Sequence, residues 1–493
     1  MQFIESLQML LDIKVIIFIL IGILLGFVIG ALPGLTDPMA LGLAIPFTFG
    51  MEPLQAILFL LGIHFAAVYS GSMTAILINT PGTPAGAAAA LDGYPLTQKG
   101  QSKKALQMAA ISALCGGTIS IISLIVFAPI IANVAIKFGP SEYFALGIFG
   151  MSVIAGVAGK SLSKALFTAS LGVFFSFIGT DPMMGVRRFT FDSYYLSDGI
   201  DLIAALIGLF AISEIINQFY NSAQAEKTFT NSKLAVIGLK WKEIKQSIKT
   251  IFKGGIIGTV VGALPGSGAV ISSFLSYNEA VRSSKKPEKY GKGELDGVAA
   301  SESGAVGTEA SAFIPLLTLG IPGDVGSAII LSAMILHGIE VGPQLFSGSG
   351  EIVKALFGGM IIIEIGVFLA AWFGSTLVSK IVKIPSHYLF SVVSVLIVAG
   401  AFALENNMFN VWVTFAFGLL GYILLKFNYP LPPLLLGLIL GPIIEKNFLL
   451  ATSSSGGDWF AIITRPITAF ILILAMISMF LSIRIQQRVS KRL

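Results

Sequence analysis

The amino-acid sequence predicts an all-α polytopic membrane protein made of two inverted-topology repeats with broken helices and re-entrant hairpins. Three observations predict it: a duplicated glycine motif, Pro-Gly breaks inside apolar sequence, and a composition that a water-facing surface does not carry. Residues 22–34 read Gly-Ile-Leu-Leu-Gly-Phe-Val-Ile-Gly-Ala-Leu-Pro-Gly, and residues 254–266 read Gly-Gly-Ile-Ile-Gly-Thr-Val-Val-Gly-Ala-Leu-Pro-Gly. Later landmarks recur in the same order: Thr80-Pro81-Gly82 with Ile321-Pro322-Gly323, and Gly139-Pro140-Ser141-Glu142-Tyr143 with Ile384-Pro385-Ser386-His387-Tyr388. Duplicated units interrupted at membrane depth are the build of secondary transporters.

Of the 493 residues, 55% are hydrophobic and 12% charged, and the mean hydropathy is +0.88. Such a chain belongs in lipid. Apolar stretches at 13–32, 105–136, 143–158, 199–217, 352–379, 386–404, 408–425 and 465–483 approach or exceed the length that crosses the bilayer core. With the shorter, broken segments added, the expectation is about 12 membrane segments at roughly 1.5 Å of rise per residue. The first stretch follows Glu5 and Asp12 rather than a basic region, so it reads as a retained segment and not a signal peptide.

The formal charge of +5 sits in short loops, where Lys and Arg set topology rather than bind nucleic acid. In the first half the basic loops are Lys99/Lys103/Lys104 and Lys160/Lys164; in the second, Arg282 to Lys292, Lys380/Lys383 and Lys426 fall at the positions that are neutral or acidic in the first. This opposite phase predicts halves inserted upside down relative to each other. The expected domains are a first repeat at 1–219, a basic cytoplasmic linker at 220–253 with a short amphipathic helix near Trp241, a second repeat at 254–450, and a last segment with a cytoplasmic tail at 451–493.

Each Pro-Gly break leaves backbone groups that need a partner in the bilayer. The breaks are Pro33-Gly34-Leu35-Thr36, Pro81-Gly82-Thr83-Pro84, Pro265-Gly266-Ser267-Gly268 and Pro322-Gly323-Asp324. Half-helix N-termini suit anionic groups, and carbonyls at half-helix ends suit a small cation. Candidate substrate ligands are therefore Ser72, Asn79, Thr80, Pro81, Gly82, Thr83, Gly320, Pro322, Gly323 and Asp324. Candidate coupling-ion ligands are Gly34, Thr36, Asp37, Gly266, Ser267, Glu302 and Ser303. The Gly-x3-Gly strings themselves suit close helix packing.

Intramembrane acids point to ion or proton coupling, and Glu302 is the leading one, with a buried structural hydrogen bond as its alternative. Glu309 and Asp324 are expected as loop residues within reach of water. Arg187-Arg188 steers an anion or docks a partner, with a solvated loop pair as the alternative. Cys115 is the only cysteine, which excludes disulfide frameworks and thiolate metal sites; His64, His337 and His387 lack metal-site spacing, so no transition metal is expected. No Walker motif and no nucleophile–base pair occurs, so the chain is expected not to be an enzyme and to need no cofactor beyond a coupling ion.

The strings Gly30-Ala31-Leu32-Pro33-Gly34-Leu35-Thr36, Tyr69-Ser70-Gly71-Ser72, Ile78-Asn79-Thr80-Pro81-Gly82-Thr83-Pro84-Ala85, Leu91-Asp92-Gly93-Tyr94-Pro95, Arg188-Phe189-Thr190-Phe191 and Leu319-Gly320-Ile321-Pro322-Gly323, with His337-Gly338 and Gly342-Pro343, closely resemble the large membrane subunit of the tripartite tricarboxylate transporters. The resemblance runs from about residue 20 to about 468. It implies an elevator-type permease of the bacterial inner membrane, working with a small transmembrane subunit and a periplasmic solute-binding protein. It further implies uptake of citrate or related carboxylates by Na+ or H+ symport, with hairpin tips at Asn79–Thr83 and Gly320–Asp324 holding substrate. One departure stands out: many members of the family carry an Asn-Asn pair after Glu-Ser-Gly, where this chain has Ala305-Val306 and, further on, Glu309. From the breaks alone, a passive anion channel or pore is the alternative.

Overall fold

A computed structural model describes residues 8–32, 36–157, 161–181, 183–222, 238–265, 268–348, 350–381, 386–403 and 406–490. The first half opens with α1 (Ile13–Gly30), α2 (Asp37–Ala44) with a 3-10 turn at Ile45–Gly50, α3 (Pro53–Ile78), α4 (Gly86–Gln98) and the long α5 (Ser102–Ala135). It continues with α6 (Pro140–Val157), α7 (Leu162–Ser176), and α8 (Leu202–Leu206) running through a π segment at Ile207–Ile212 into α9 (Ser213–Ser222). Between α7 and α8 lies a small antiparallel ribbon in which Gly179 pairs with Arg188 and Thr180 with Arg187.

The second half has α10 (Trp241–Gly262), α11 (Gly268–Ser283), α12 (Leu295–Val306), α13 (Phe313–Leu319), α14 (Val325–Leu336), α15 (Gln344–Gly348), the long α16 (Gly350–Ile381), α17 (Ser386–Ala403), α18 (Met408–Lys426) and α19 (Pro432–Ser454). The short α20 (Trp459–Ile463) and α21 (Pro466–Ser490) follow. Six helices among the described residues are long and apolar enough to cross a membrane: α1, α3, α5, α16 (over Gly350–Gly374), α18 and α19. The chain is an all-α, multi-pass membrane protein. Pro53–Ile78 is the least apparent of these spans in the sequence, because Gln55, His64, Ser70, Ser72, Thr74 and two glycines break its hydropathy; it is nonetheless buried all round from Gln55 to Leu77.

The two halves repeat one packing. A Cβ on Gly22, Gly26 or Gly30 of α1 would run into Phe59 O, Ile63 O or the Ser70 hydroxyl of α3. A Cβ on Gly254, Gly258 or Gly262 of α10 would run into the Ser303 hydroxyl, Gly304 O or the Ser311 hydroxyl. Glycine at each position lets two backbones meet without a side chain between them, and such helices are held by dispersion and close backbone approach rather than by hydrophobic burial.

The two halves also interlock. Consecutive glycines of α5 insert between two elements of the second half: Gly116 lies on the Ser303 backbone and Gly117 on the Glu364 carboxyl of α16. In turn α16 lies on the first half, with Gly359 against Leu58 and Gly366 against Ile23. One large core joins α1–α5 to α12–α16 and also takes in Ile203 to Ile215 of the α8–α9 rod, Ile397 of α17, and Leu435 and Ile439 of α19. Two smaller apolar clusters join α6, α7, the α8 rod, α18, α19 and α21, and Ile321 from the break before α14 packs into one of them.

Trp241, in the expected linker, begins the same helix that carries Gly254–Gly262. Nothing between Trp241 and Gly262 breaks a helix, and only the composition changes there. Lys104 of α5 binds Glu243 at 2.7 Å, fastening this helix start to the first half.

Candidate substrate and coupling-ion site

The breaks after α3 and α13 are built alike. α3 ends at Asn79 in the left-handed region (φ 54°), whose N–H donates to Ala75 O at 3.1 Å; α13 ends at Gly320 (φ 72°), whose N–H donates to Leu316 O at 2.9 Å. Asn and Gly are the residues that reach this conformation with least strain. Each chain then turns back onto its own helix. Gly82 N–H donates to Gly71 O and to Thr74 Oγ1, both at 3.1 Å. Gly323 lies on Ala312, where an added Cβ would come within 2.7 Å of the Ala312 Cα.

The expected ligands divide by surroundings. Asn79 and Pro81 are exposed and line a groove of about 320 Å³ with Ala87, Ala90, Leu91, Tyr94 and Pro95. Thr80 is half-buried and its hydroxyl donates to Ile78 O at 3.4 Å. Thr83 is buried against Gly71, and its hydroxyl has no hydrogen-bond partner. Ser72, buried at 1% exposure, is likewise unpartnered although it sits beside Glu302. Pro322 and Gly323 are buried.

Asp324 caps α14: its Oδ1 accepts from Ser327 N at 2.7 Å, and its own N–H donates to Ser327 Oγ at 2.9 Å. Thr36 precedes α2, its carbonyl accepting from Ala40 N at 3.0 Å and its side chain making no cap. Ser303 spends its hydroxyl on Ala299 O at 2.7 Å, within its own helix. Gly34, Gly266 and Ser267 lie outside the described residues.

A set of acids is buried in the core. Glu302 and Glu309 are 1% and 2% exposed, and neither carboxylate has a hydrogen-bond partner. The expectation that Glu309 faces water is overturned: the turn 307–312 is held against α5, where Ser311 N–H donates to Ser120 Oγ at 2.7 Å. Glu364, 3% exposed, rests on Gly117 with one oxygen unpartnered. Asp37 meets the His64 ring at 2.9 Å. Among the described residues no Lys or Arg forms an ion pair with any of these acids.

Residue patterning alone did not single out His64 and Glu364. One histidine in an apolar helix reads as core, and Glu364 stands alone in a long apolar run; the available signal was that a lone charge inside a span is costly and functional by default. Arg188 binds Glu445 with both Nη atoms and lies 3.6 Å from Asp181, while Arg187 is exposed. Asp92 is a structural clamp, accepting from Tyr277 Oη at 3.0 Å and from the amides of Gly293 and Glu294 at 2.8 Å each.

Comparison with known proteins accords with this arrangement. The sequence matches the tripartite tricarboxylate transporter TctA family over residues 16–436. It is 34% identical over 461 residues to an Agrobacterium vitis protein described as an uncharacterized 52.8 kDa protein in the TAR-I ttuC' 3' region, covering 93% of this chain and 91% of that one. It is 36% identical over 230 residues to an uncharacterized protein in the TAR-II ttuC' 3' region of the same organism, covering 46% of this chain and 93% of that one. No solved structure matches. With a family match across most of its length, this multi-pass membrane chain belongs to the tripartite tricarboxylate transporter TctA family.

Proposed function

We propose that the chain is the permease subunit of a binding-protein-dependent secondary transporter. It receives an organic carboxylate, a tricarboxylate such as citrate or a related di- or monocarboxylate, from a periplasmic solute-binding protein and carries it across the bacterial inner membrane. A Na+ or H+ gradient drives the step, and a small transmembrane subunit completes the complex. The observation that carries this function is the matched pair of breaks, Asn79–Thr83 and Gly320–Asp324, each folded back on its own helix beside buried polar groups that have no protein partner.

In this mechanism the amides at the starts of α4 and α14 bind substrate carboxylates, aided by the free hydroxyls of Thr83 and Ser72. Glu302 and Asp37 belong to the coupling-ion site, where bound positive charge relieves the cost of a buried carboxylate. The halves insert with inverted topology, so that one central site faces either side in turn. An elevator motion, in which the part that carries the two breaks slides past the rest, is the form of alternating access that this reading adopts.

Vesicles carrying this chain with its small subunit test the proposal. Labelled di- and tricarboxylates are offered under imposed Na+ or H+ gradients, with binding protein present or withheld. Accumulation of one acid that needs both the gradient and the binding protein is expected; no accumulation of any acid under either gradient overturns it.

A further inference from the structure

The His64–Asp37 pair joins three elements that the breaks bring together. Asp37 opens α2, His64 sits in the middle of α3, and Gly326 in the first turn of α14 lies on both, since a Cβ there would come within 2.7 Å of His64 Nδ1 and 2.8 Å of Asp37 Oδ2. Phe65 and Phe313 stand edge-on to the imidazole at 5.8 and 6.4 Å. The pair is sealed, with His64 2% and Asp37 7% exposed.

The contact accounts for half of each group. Asp37 Oδ2 meets His64 Nδ1 at 2.9 Å, while Asp37 Oδ1 and His64 Nε2 have no partner at all. An ionised carboxylate only accepts, so Nδ1 carries the hydrogen and Nε2 is left as a free base. A buried carboxylate beside a neutral imidazole has a net charge of about −1, which a low-dielectric interior disfavours. One proton on Nε2 brings the pair to zero.

The other charged groups near α3 do not supply that compensation. Asp324, at the break before α14, is within electrostatic reach of both members, and Glu309 is within reach of Asp37. Glu302 on α12 and Glu364 on α16 add further acids. On α4, Asp92 is taken up by Tyr277 and two amides; on α5, Lys104 is bound to Glu243. Lys14, at the start of α1, and Lys103, in the first turn of α5, lie at helix ends. No three His, Cys, Asp or Glu side chains among the described residues are grouped so that they could hold a metal ion. An imidazole is also a poor ligand for hard cations, which take oxygen.

We propose that His64 with Asp37 is the proton-carrying site of this chain, and that H+ rather than Na+ is its coupling ion. The proposal rests on the carrier function above and specifies its ion. A proton from the outer aqueous face adds to Nε2, turning the pair from an anion into a neutral ion pair; release toward the inner face restores it. Because Gly326 and Asp324 tie the pair to the break that holds substrate, removing a negative charge here favours an arriving carboxylate. By linkage, bound carboxylate favours the proton to the same degree.

The test has two arms. In the first, the full chain in detergent carries isotope-labelled histidine, and the ring resonances are followed by NMR between about pH 5 and 8, with His64→Asn assigning the signal. The expected result is that His64 changes protonation with pH, that Asp37→Asn moves the midpoint by about one pH unit or more, the scale of one charge-assisted hydrogen bond, and that added Na+ at fixed pH leaves it in place. A His64 signal that stays unchanged throughout, or moves with Na+ alone, overturns the proposal.

In the second arm, vesicles with the whole complex take up labelled citrate or succinate under a pH gradient or a Na+ gradient. Uptake driven by the pH gradient and reduced at least about tenfold by His64→Asn supports the proton site. Uptake driven by Na+ at constant pH and untouched by His64→Asn overturns it while leaving the carrier function standing. Titration of His64 in the first arm with no carboxylate uptake under any gradient leaves the proton site standing and refutes the carboxylate carrier.

Discussion

Gly82 donates its backbone N–H to the carbonyl oxygen of Gly71 at 3.1 Å, which fastens the first helix break to the middle of α3. The contact depends on Gly71 having no side chain. A Cβ there would meet the Thr83 amide nitrogen at 2.7 Å and its Cγ2 at 2.6 Å.

Gly71→Ala therefore pushes the break off α3 and should lower stability by about 1–3 kcal/mol, the usual cost of overpacking, with transport lost. Gly42→Ala is the control, since its Cβ would meet only Ile207 at 3.9 Å. That variant should match the parent or gain up to about 1 kcal/mol from helix propensity. Thermal unfolding in detergent, read beside vesicle uptake, checks both.

Thr83→Val removes a buried hydroxyl that has no protein partner, at nearly constant volume. Stability should stay within about 0.5 kcal/mol of the parent, while the apparent KM for the carboxylate rises, because the hydroxyl serves the ligand and not the fold. Concentration-dependent uptake separates this outcome from a structural role, which would lower the melting temperature and leave KM unchanged.

Asp92→Ala should destabilise the chain by roughly 3 kcal/mol or more, because it strands two amides and the Tyr277 hydroxyl. Asp92→Asn retains an acceptor and should recover part of that loss. Melting temperatures of the two variants give the comparison.

Glu243 has a pH signature. Burial pushes its carboxyl up, but the bond from Lys104 and the Lys240 amide outweigh burial and hold it below the ordinary value of 4.5. A depressed carboxylate contributes stability that is present above the unfolded value and is lost as pH falls through the folded one. Glu243→Gln should thus lower the melting temperature near neutral pH, by the equivalent of at most about 1 kcal/mol for a partly exposed pair. The gap to the parent should close as the pH falls below the ordinary carboxylate value and through the depressed folded one.

Much of the fold was legible in the sequence because backbone demands leave marks in residue type. The Gly-x3-Gly strings predict close helix packing, though not its partners, which are α3 for α1 and α12 for α10, and Asn79 and Gly320 stand where the chain turns left-handed. Glu302 was legible as an acid in a small-residue run. The His64–Asp37 contact was not, because it is made by the crossing of α2 on α3 and by Gly326 arriving from the other half of the chain. Glu309 misled because a run of small residues resembles a loop; α5, distant in sequence, buries it.

Counterflow tests the carrier most directly. Vesicles holding the full complex are loaded with unlabelled citrate and diluted into a trace of labelled citrate, and the same is done with succinate. A site that faces one side at a time gives transient accumulation of label with a saturable rate, and Thr83→Val raises the concentration at half saturation. Linear, non-saturable flux with no overshoot would contradict the carrier and leave a pore.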